Sequence, residues 1–502
     1  MYPTKIRFIL GSSLDKAGQG RCIPEESIGR QMKKQHYDFG LVGLGVMGRN
    51  FILNVADNNF AAAGLDVSQE QVDTLIAEGG NPDRVNATTQ ASEFVSSLKQ
   101  PRRIMMLVPA GKIVDQVIAN LLPLLRPGDL LIDGGNSYYT DTDRREAELK
   151  EKGILYLGAG VSGGAEGARK GPSIMPGGSP EAYPLIQPVF EAAAAKFEGE
   201  PCVAYMGKKS AGNYVKMVHN GIEYALMQML TEMYDLMKKS SNATNLEMSE
   251  RFSEWNTGRL QSFLVEITAD ILQQKDPLEE GFLIDRILDK AKQKGTGKWT
   301  SQNAMDLGIP VPTIDMAVTM RGLSGLKALR EEADAKYHRP IPENLNQKDL
   351  MKMAEEALYF GFLVSYAQGM HLLAEASSEY GYELPMVAIA KIWREGCIIR
   401  AALLEDIAQA YQEEPHLKHL LLAPSFVAKV QSCVASTRSL LSYSISNGIS
   451  LPALSTTLLY FECFTSRRMP TNMIQAQRDY FGSHTYERTD REGTFHTKWS
   501  KI

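Results

Sequence analysis

Five cysteines in 502 residues (Cys22, Cys202, Cys397, Cys433 and Cys463) are too few, too scattered and odd in number for a disulfide framework. None stands in C-x-x-C spacing, so no metal site is expected, and a reducing, cytoplasmic setting is. No apolar run reaches membrane-spanning length. Positive charge is also short. The chain has 54 Lys and Arg against 59 Asp and Glu, a net charge of −5, which argues against a nucleic-acid partner held by bulk electrostatics. Any anion site must therefore be gathered locally. What is present is ordinary for a globular protein, 44% hydrophobic and 23% charged. The length exceeds one compact core, so two or three domains are expected.

Residues 1–37 stand apart from the rest. The run "RFIL" is too short for a signal-peptide core, and Glu25 and Glu26 follow it. A disordered extension is expected, or a chain whose true start is Met32, with a transit segment as a further option. From residue 38 the pattern changes. Phe39–Val42 reads as a strand, Gly43, Gly45 and Gly48 as a G-x-G-x-x-G turn opening a helix, and Ala61–Leu65 as the next strand. Short apolar runs at 102–109 and 129–137, separated by helical stretches, extend this to a parallel, doubly wound sheet. The fold class is thus α/β plus all-α. A Rossmann-type domain over 38–212 precedes a helical domain over 213–470 and a C-terminal tail over 471–502.

The helical part carries a faint repeat. Tyr224-Ala225 recurs as Tyr366-Ala367, Trp255-x-x-Gly258 as Trp393-x-x-Gly396, and Gly308 to Pro312 as Gly448 to Pro452. The near-constant offset predicts an internal duplication. The stretch 474–499 is polar and aromatic with little helical periodicity, and reads as a frayed or docked tail.

Three features carry chemistry. A glycine turn between strand and helix lets backbone N–H groups approach a pyrophosphate at the helix N-terminus. In "KMVHNGIEY", Lys216, His219, Asn220, Glu223 and Tyr224 occupy the positions an apolar helix stripe normally fills. Apolar residues flank them, so the helix reads as buried around a polar seam. Its lysine and carboxylate lie about 10 Å apart along the axis, placed to act as base and acid at two ends of a short substrate. Lys294, Thr296 and Lys298 around two glycines, with Arg321 and Arg478, suggest a phosphorylated or carboxylated ligand.

With "IDGGNS", "GVSGGAEGARKGPSIMPGG", "KMVHNGIEY", "QKGTGKWT" and "IQAQRDYFGSHTYER", the chain resembles the 6-phosphogluconate dehydrogenase family from about Asp38 onward. The resemblance implies that Lys216 is the base for the C3 hydroxyl and Glu223 the acid that protonates C1 after CO2 leaves. It implies that Asn136, Ser162, Gly163, Gly164, His219 and Asn220 line the sugar acid. Tyr224, Lys294, Thr296 and Arg321 would hold its phosphate. Arg478 and His484 would enter from the second subunit of a homodimer. Gly43, Gly45, Val46, Met47, Gly48, Val108 and Asn136 would meet the coenzyme, and no metal is implied.

One departure concerns the coenzyme. The family commonly has Asn-Arg-Thr after the second strand, the arginine holding the 2′-phosphate of NADP; here the positions read Asp66-Val67-Ser68. Asp66 lies 21 residues after Gly45, the spacing of an acid that takes ribose hydroxyls. No Lys or Arg occurs from Asn50 through Asp83, and Pro109 stands where the family commonly has lysine. NAD is therefore expected, with NADP the alternative. Two other functions remain open at this point: a related β-hydroxyacid dehydrogenase of the 3-hydroxyisobutyrate type, and a catalytically silent coenzyme binder.

Overall fold

The computed structural model describes residues 32–338, 340 and 345–499. The expected extension over 1–31 lies outside the described residues. Among the described residues seven strands form one sheet: β1 (Phe39–Val42), β2 (Ala62–Leu65), β3 (Val85–Thr88), β4 (Arg103–Met106), β5 (Leu130–Asp133), β6 (Leu155–Val161) and β7 (Ile174–Gly178). Their order is β3-β2-β1-β4-β5-β6-β7. The connecting helices are α1 (Val46–Asp57), α2 (Gln69–Gly79), α3 (Ala91–Ser97), α4 (Lys112–Leu121), α5 (Tyr139–Lys150), α6 (Gly164–Lys170) and α7 (Tyr183–Ala193). These helices cover both faces, which is why the strands read as short, near-continuous apolar runs. One face packs Phe51, Ile132 and Phe190, the other Phe94, Ile104 and Tyr156. Strand order reverses between β1 and β4, so the ligand crevice opens at the carboxyl ends of those strands. Six strands run parallel, while β7 pairs antiparallel with β6, a turn of the chain that strand–helix alternation does not reveal. A short hairpin, β8 (Lys196–Phe197) and β9 (Glu200–Pro201), closes the domain.

Residues 32–37 correct the expected boundary at Asp38. Met32 and Tyr37 are buried in the Phe94 cluster, Tyr37 pairs with Leu98, and its hydroxyl donates to the Pro82 carbonyl at 2.8 Å. Six residues are too few to show periodicity, so their packing was invisible in the sequence.

The helical part opens with α8 (Ala211–Ser241), followed by α9 (Asn245–Trp255), α10 (Phe263–Gln273), α11 (Thr296–Leu307), α12 (Pro312–Gly325) and α13 (Lys327–Asp334). A second series follows: α14 (Gln347–Tyr380), α15 (Met386–Ile392), α16 (Leu403–Glu413), α17 (Pro424–Ser446) and α18 (Pro452–Phe464). The repeated residues fall at equivalent places. Tyr224 and Tyr366 sit in the two long helices, and Trp255 and Trp393 end α9 and α15. Gly308 and Gly448 take φ of 69° and 65° after α11 and α17, where a left-handed residue ends the helix, and Pro312 and Pro452 start the next one.

The two series interlock through their helix ends. The Glu232 carboxylate of α8 accepts from the N–H groups of Ala453 and Leu454, at 2.8 and 3.0 Å, where α18 begins. Gln368 of α14 accepts from Thr313 N–H where α12 begins. Each long helix thus supplies acceptors for orphan donors of the other series. Toward the sheet, α8 rests directly on β6 and β7. A Cβ at Gly160 would lie 2.3 Å from Lys216 Cβ, so only glycine admits the helix at this depth.

The chain ends in α19 (Thr471–Gly482) and a hairpin of β10 (Tyr486–Glu487) and β11 (Thr494–Phe495). The helix corrects the expectation of little helical order after residue 474. Its organising group is polar: the Asp479 carboxylate accepts from Thr485 N–H, Thr497 N–H, His496 Nδ1 and Trp499 Nε1. Apolar Met473, Ile474, Tyr480 and Phe481 are exposed, which erases the usual apolar stripe. Among the described residues no helix is long and apolar enough to cross a membrane.

Candidate active site

The glycine turn leaves β1 and caps α1. Gly43 takes φ of 95°, and a Cβ at Gly48 would lie 1.9 Å from the Gly43 carbonyl oxygen, so the third glycine lets the helix close on the turn. A Cβ at Gly45, the N-cap, would meet nothing within 4 Å. That open space lies at the positive end of the helix dipole, where a pyrophosphate is stabilised. Val46 is exposed there, Met47 is half-buried, and Val108 flanks Gly43.

Asp66 ends β2 beside this turn. Its Oδ2 accepts from Leu44 N–H at 2.6 Å and its Oδ1 from Ser68 N–H at 2.9 Å. The carboxylate is thus fixed to the turn while keeping lone pairs for further donors, such as ribose hydroxyls. The cradle and the acid together fit a dinucleotide. Arg49, on α1, is a nearby cation; its guanidinium meets Glu78 at 3.0 Å and Gln71 at 3.2 Å, both on α2.

The polar seam of α8 is inside the protein. Lys216, His219, Asn220 and Tyr224 are buried and Glu223 is partly so. Lys216 Nζ lies 3.3 Å from His219 Nδ1, which is 3.0 Å from Asn220 Oδ1. His219 Nε2 lies 3.3 Å from the Ser162 hydroxyl, joining the seam to the glycine-rich loop after β6. Burial lowers the Lys216 ammonium from its usual range, with the Glu223 charge opposing the shift in part. Burial raises the Glu223 carboxyl, with Lys216 and Arg321 opposing. Burial, then Lys216, holds His219 well below the usual imidazole range, so the ring is neutral. Burial thus biases the lysine toward its neutral form and the carboxyl toward its protonated form, each opposed in part by the charge of the other, and these are the forms a base and an acid need.

Beyond Glu223 the site turns cationic. The Arg321 guanidinium stacks 3.4 Å above the Tyr224 ring, and Asn220 donates to Thr296 at 3.1 Å. Gly297 lies against that ring, where a Cβ would approach to 2.4 Å. Lys294 is exposed beside them and Asn136 is exposed on the loop after β5. Gly163 and Gly164 follow Ser162. Arg478 and His484 are held differently: Arg478 donates to Gln475, and His484 packs on Phe481, all within the tail.

Several contributors were not marked in the sequence as site residues. Trp393 packs edge-on against His219 at 5.5 Å, and the Gly396 carbonyl presses on Gly163. Cys397 is buried within electrostatic reach of Lys216. The repeat had marked the Trp393–Gly396 segment, but only as an echo of Trp255–Gly258. Asn213, one turn before Lys216, carried no signal beyond being polar in an apolar stretch.

A model of the NAD binding domain of 6-phosphogluconate dehydrogenase matches residues 38–207, and one of the 6-phosphogluconate dehydrogenase C-terminal domain matches 212–499. A Bacillus subtilis protein named 6-phosphogluconate dehydrogenase, NADP(+)-dependent, decarboxylating, is 47% identical over 472 residues, covering 94% of this chain and 100% of its own. An Escherichia coli protein named 6-phosphogluconate dehydrogenase, decarboxylating, is 47% identical over 471 residues, covering 93% and 100%. The solved structure of Plasmodium falciparum 6-phosphogluconate dehydrogenase superposes with a TM-score of 0.89 at 43% identity, covering 92% of this chain and 100% of that one. With both halves matched in order and relatives spanned end to end, the chain belongs to the 6-phosphogluconate dehydrogenase family.

Proposed function

We propose that the chain oxidatively decarboxylates 6-phosphogluconate to ribulose 5-phosphate and CO2, as a pentose phosphate pathway enzyme, and passes hydride to NAD in preference to NADP. The observation that carries the reaction is the buried pair on α8, Lys216 and Glu223, shifted in opposite directions. Neutral Lys216 takes the proton of the C3 hydroxyl. Gly43, Gly45, Gly48 and Asp66 would hold a nicotinamide coenzyme, which would supply the acceptor for the C3 hydride. Protonated Lys216 then polarises the 3-keto oxygen while CO2 leaves, and Glu223 delivers a proton to C1 of the enediol. Asn136, Ser162, Gly163, Gly164, His219 and Asn220 hold the sugar acid, and Asn136 also meets the coenzyme. Tyr224, Lys294, Thr296 and Arg321 hold its phosphate. Arg478 and His484 complete the site from the second subunit of a homodimer, in keeping with the exposed apolar side chains of the tail.

Asp66 supports the coenzyme choice. A 2′-phosphate placed beside its carboxylate is repelled by about 2 kcal/mol or more, which is ~30-fold in affinity. Arg49 is paired with Glu78 and Gln71, contacts it would have to give up in part to compensate. The test is kcat/KM for 6-phosphogluconate oxidation with NAD and with NADP, side by side, together with CO2 release. A preference for NAD is expected. Preference for NADP would overturn the role of Asp66 and direct attention to Arg49. Absence of turnover with either would overturn the reaction itself.

A further inference from the structure

We propose that Asn213 is a positioning residue, setting the loop that carries Asn136 against the base Lys216. Asn213 lies on α8 one turn before Lys216 and on the same side of the helix. It is buried at 2% exposure, and both ends of its amide are engaged. Nδ2 donates to the Gly135 carbonyl at 3.2 Å, and Oδ1 accepts from the Thr142 hydroxyl at 2.9 Å. Its slot is tight: a Cβ at Gly158 would lie 2.0 Å from Asn213 Oδ1.

The loop at the other end of this bond is itself stiff. Asp133 Oδ1 accepts from Gly135 N–H at 3.0 Å, and Oδ2 accepts from the Ser137 hydroxyl at 2.6 Å. Arg145 Nη1 meets the same Oδ2 at 3.3 Å, and the Tyr156 hydroxyl donates to it at the same distance. Asn136 is thus clamped from both neighbours onto β5, and the Gly135 carbonyl joins that rigid unit to α8. The Asn213 side chain therefore connects the coenzyme-domain loop to the helix that carries the base. If Asn136 meets the sugar acid and the nicotinamide, as the functional proposal on which this inference rests has it, the length of that connection sets the C3-to-coenzyme distance. Misplacement by about 1 Å at such a centre costs roughly 100-fold in rate.

The experiment uses the full-length enzyme with the substitutions N213A, N213D and T142V, and K216A as control. Four quantities are measured: kcat and KM with 6-phosphogluconate, the deuterium isotope effect on kcat with substrate deuterated at C3, NAD affinity by fluorescence, and the thermal midpoint. N213D keeps an acceptor for Thr142 but turns an anion toward the Gly135 carbonyl. Both Asn213 variants are expected to lower kcat by ~10-fold or more while KM and NAD affinity move less than about threefold. The isotope effect should rise as hydride transfer becomes the slow step. T142V, which removes one outer bond and leaves the Gly135 contact, should shift kcat and the isotope effect in the same direction by less. An unchanged isotope effect, with kcat native or falling only alongside the thermal midpoint, would overturn the proposal. Full turnover by K216A would instead overturn the functional assignment, whatever Asn213 does.

Discussion

Replacing Glu232 with Gln tests whether burial or helix-end donors control a carboxyl at the junction of the two helical series. Glu232 is 3% exposed and receives Ala453 N–H, Leu454 N–H and the Gln228 amide. Burial, opposed by those donors, pushes its carboxyl from 4.5 up to about 7. A raised folded-state value means the native protein holds a proton that the unfolded chain has released. The associated stability is fully present below pH 4.5 and is lost as pH rises through about 7. At roughly 1.4 kcal/mol per unit, the loss approaches about 3 kcal/mol by pH 8. Gln has the shape of the protonated acid and cannot ionise, but its Nε2 cannot accept one of the two N–H groups that the carboxyl oxygens take, a cost of about 1–3 kcal/mol at every pH. The stability of E232Q relative to the parent should therefore improve by about 2–3 kcal/mol between pH 5 and pH 8, visible as a relative rise in thermal midpoint of about 2–3 °C. The assay is thermal unfolding of both proteins from pH 5 to 8.5 in constant ionic strength. A stability difference that stays constant, or moves against the variant, as pH rises from 5 to 8 would refute the reasoning. Two N–H groups and the helix dipole would then stabilise the carboxylate more than burial penalises it.

Two further outcomes are expected. Because burial lowers the Lys216 ammonium and the Glu223 charge opposes this, E223Q should move the acid limb of hydride transfer to lower pH; single-turnover formation of reduced coenzyme reads it, and a shift to higher pH would contradict the proposed base. Gly160→Ala places a methyl 2.3 Å from Lys216 Cβ, so α8 must lift from the sheet. Overpacking of about 1–3 kcal/mol and a kcat loss of ~10-fold or more are expected with coenzyme binding retained, and native turnover would show that the helix tolerates displacement.

Local features were legible in the sequence. The strand, glycine turn, helix and strand around Gly43–Leu65 follow from spacing within some 25 residues, and the inward-facing seam of α8 from one helical period. Features made by distant chain segments were not. Trp393 reaches His219 across more than 170 residues, and no local pattern distinguishes its packing from that of Trp255. Asn213 acts through a carbonyl 78 residues away. The α19 helix hides because its interior is one carboxylate, Asp479, in place of an apolar stripe. Residues 32–37 hide because their burial comes from a face of the sheet built by later segments. The duplication was legible because glycine, proline and tryptophan mark chain reversals, and those survive where helix surfaces diverge.

That divergence has a consequence for how the molecule opens. At the offset of Tyr224 and Tyr366, the positions of Lys216, His219, Asn220 and Glu223 correspond to Leu358, Gly361, Phe362 and Ser365, all buried in the core. The α14 copy is therefore released from burying a lysine, an imidazole or a carboxyl at these positions, and Ser365 and Gln368 are the polar residues buried in its middle, amid apolar neighbours. The α8 copy carries a lysine, an imidazole and a carboxyl that each resist burial. Amide hydrogen exchange should accordingly rank the middle of α14 among the last parts of the chain to exchange, with the Lys216–Tyr224 segment exposed by smaller, cheaper fluctuations. One copy holds the architecture still, which leaves the other free to be reactive.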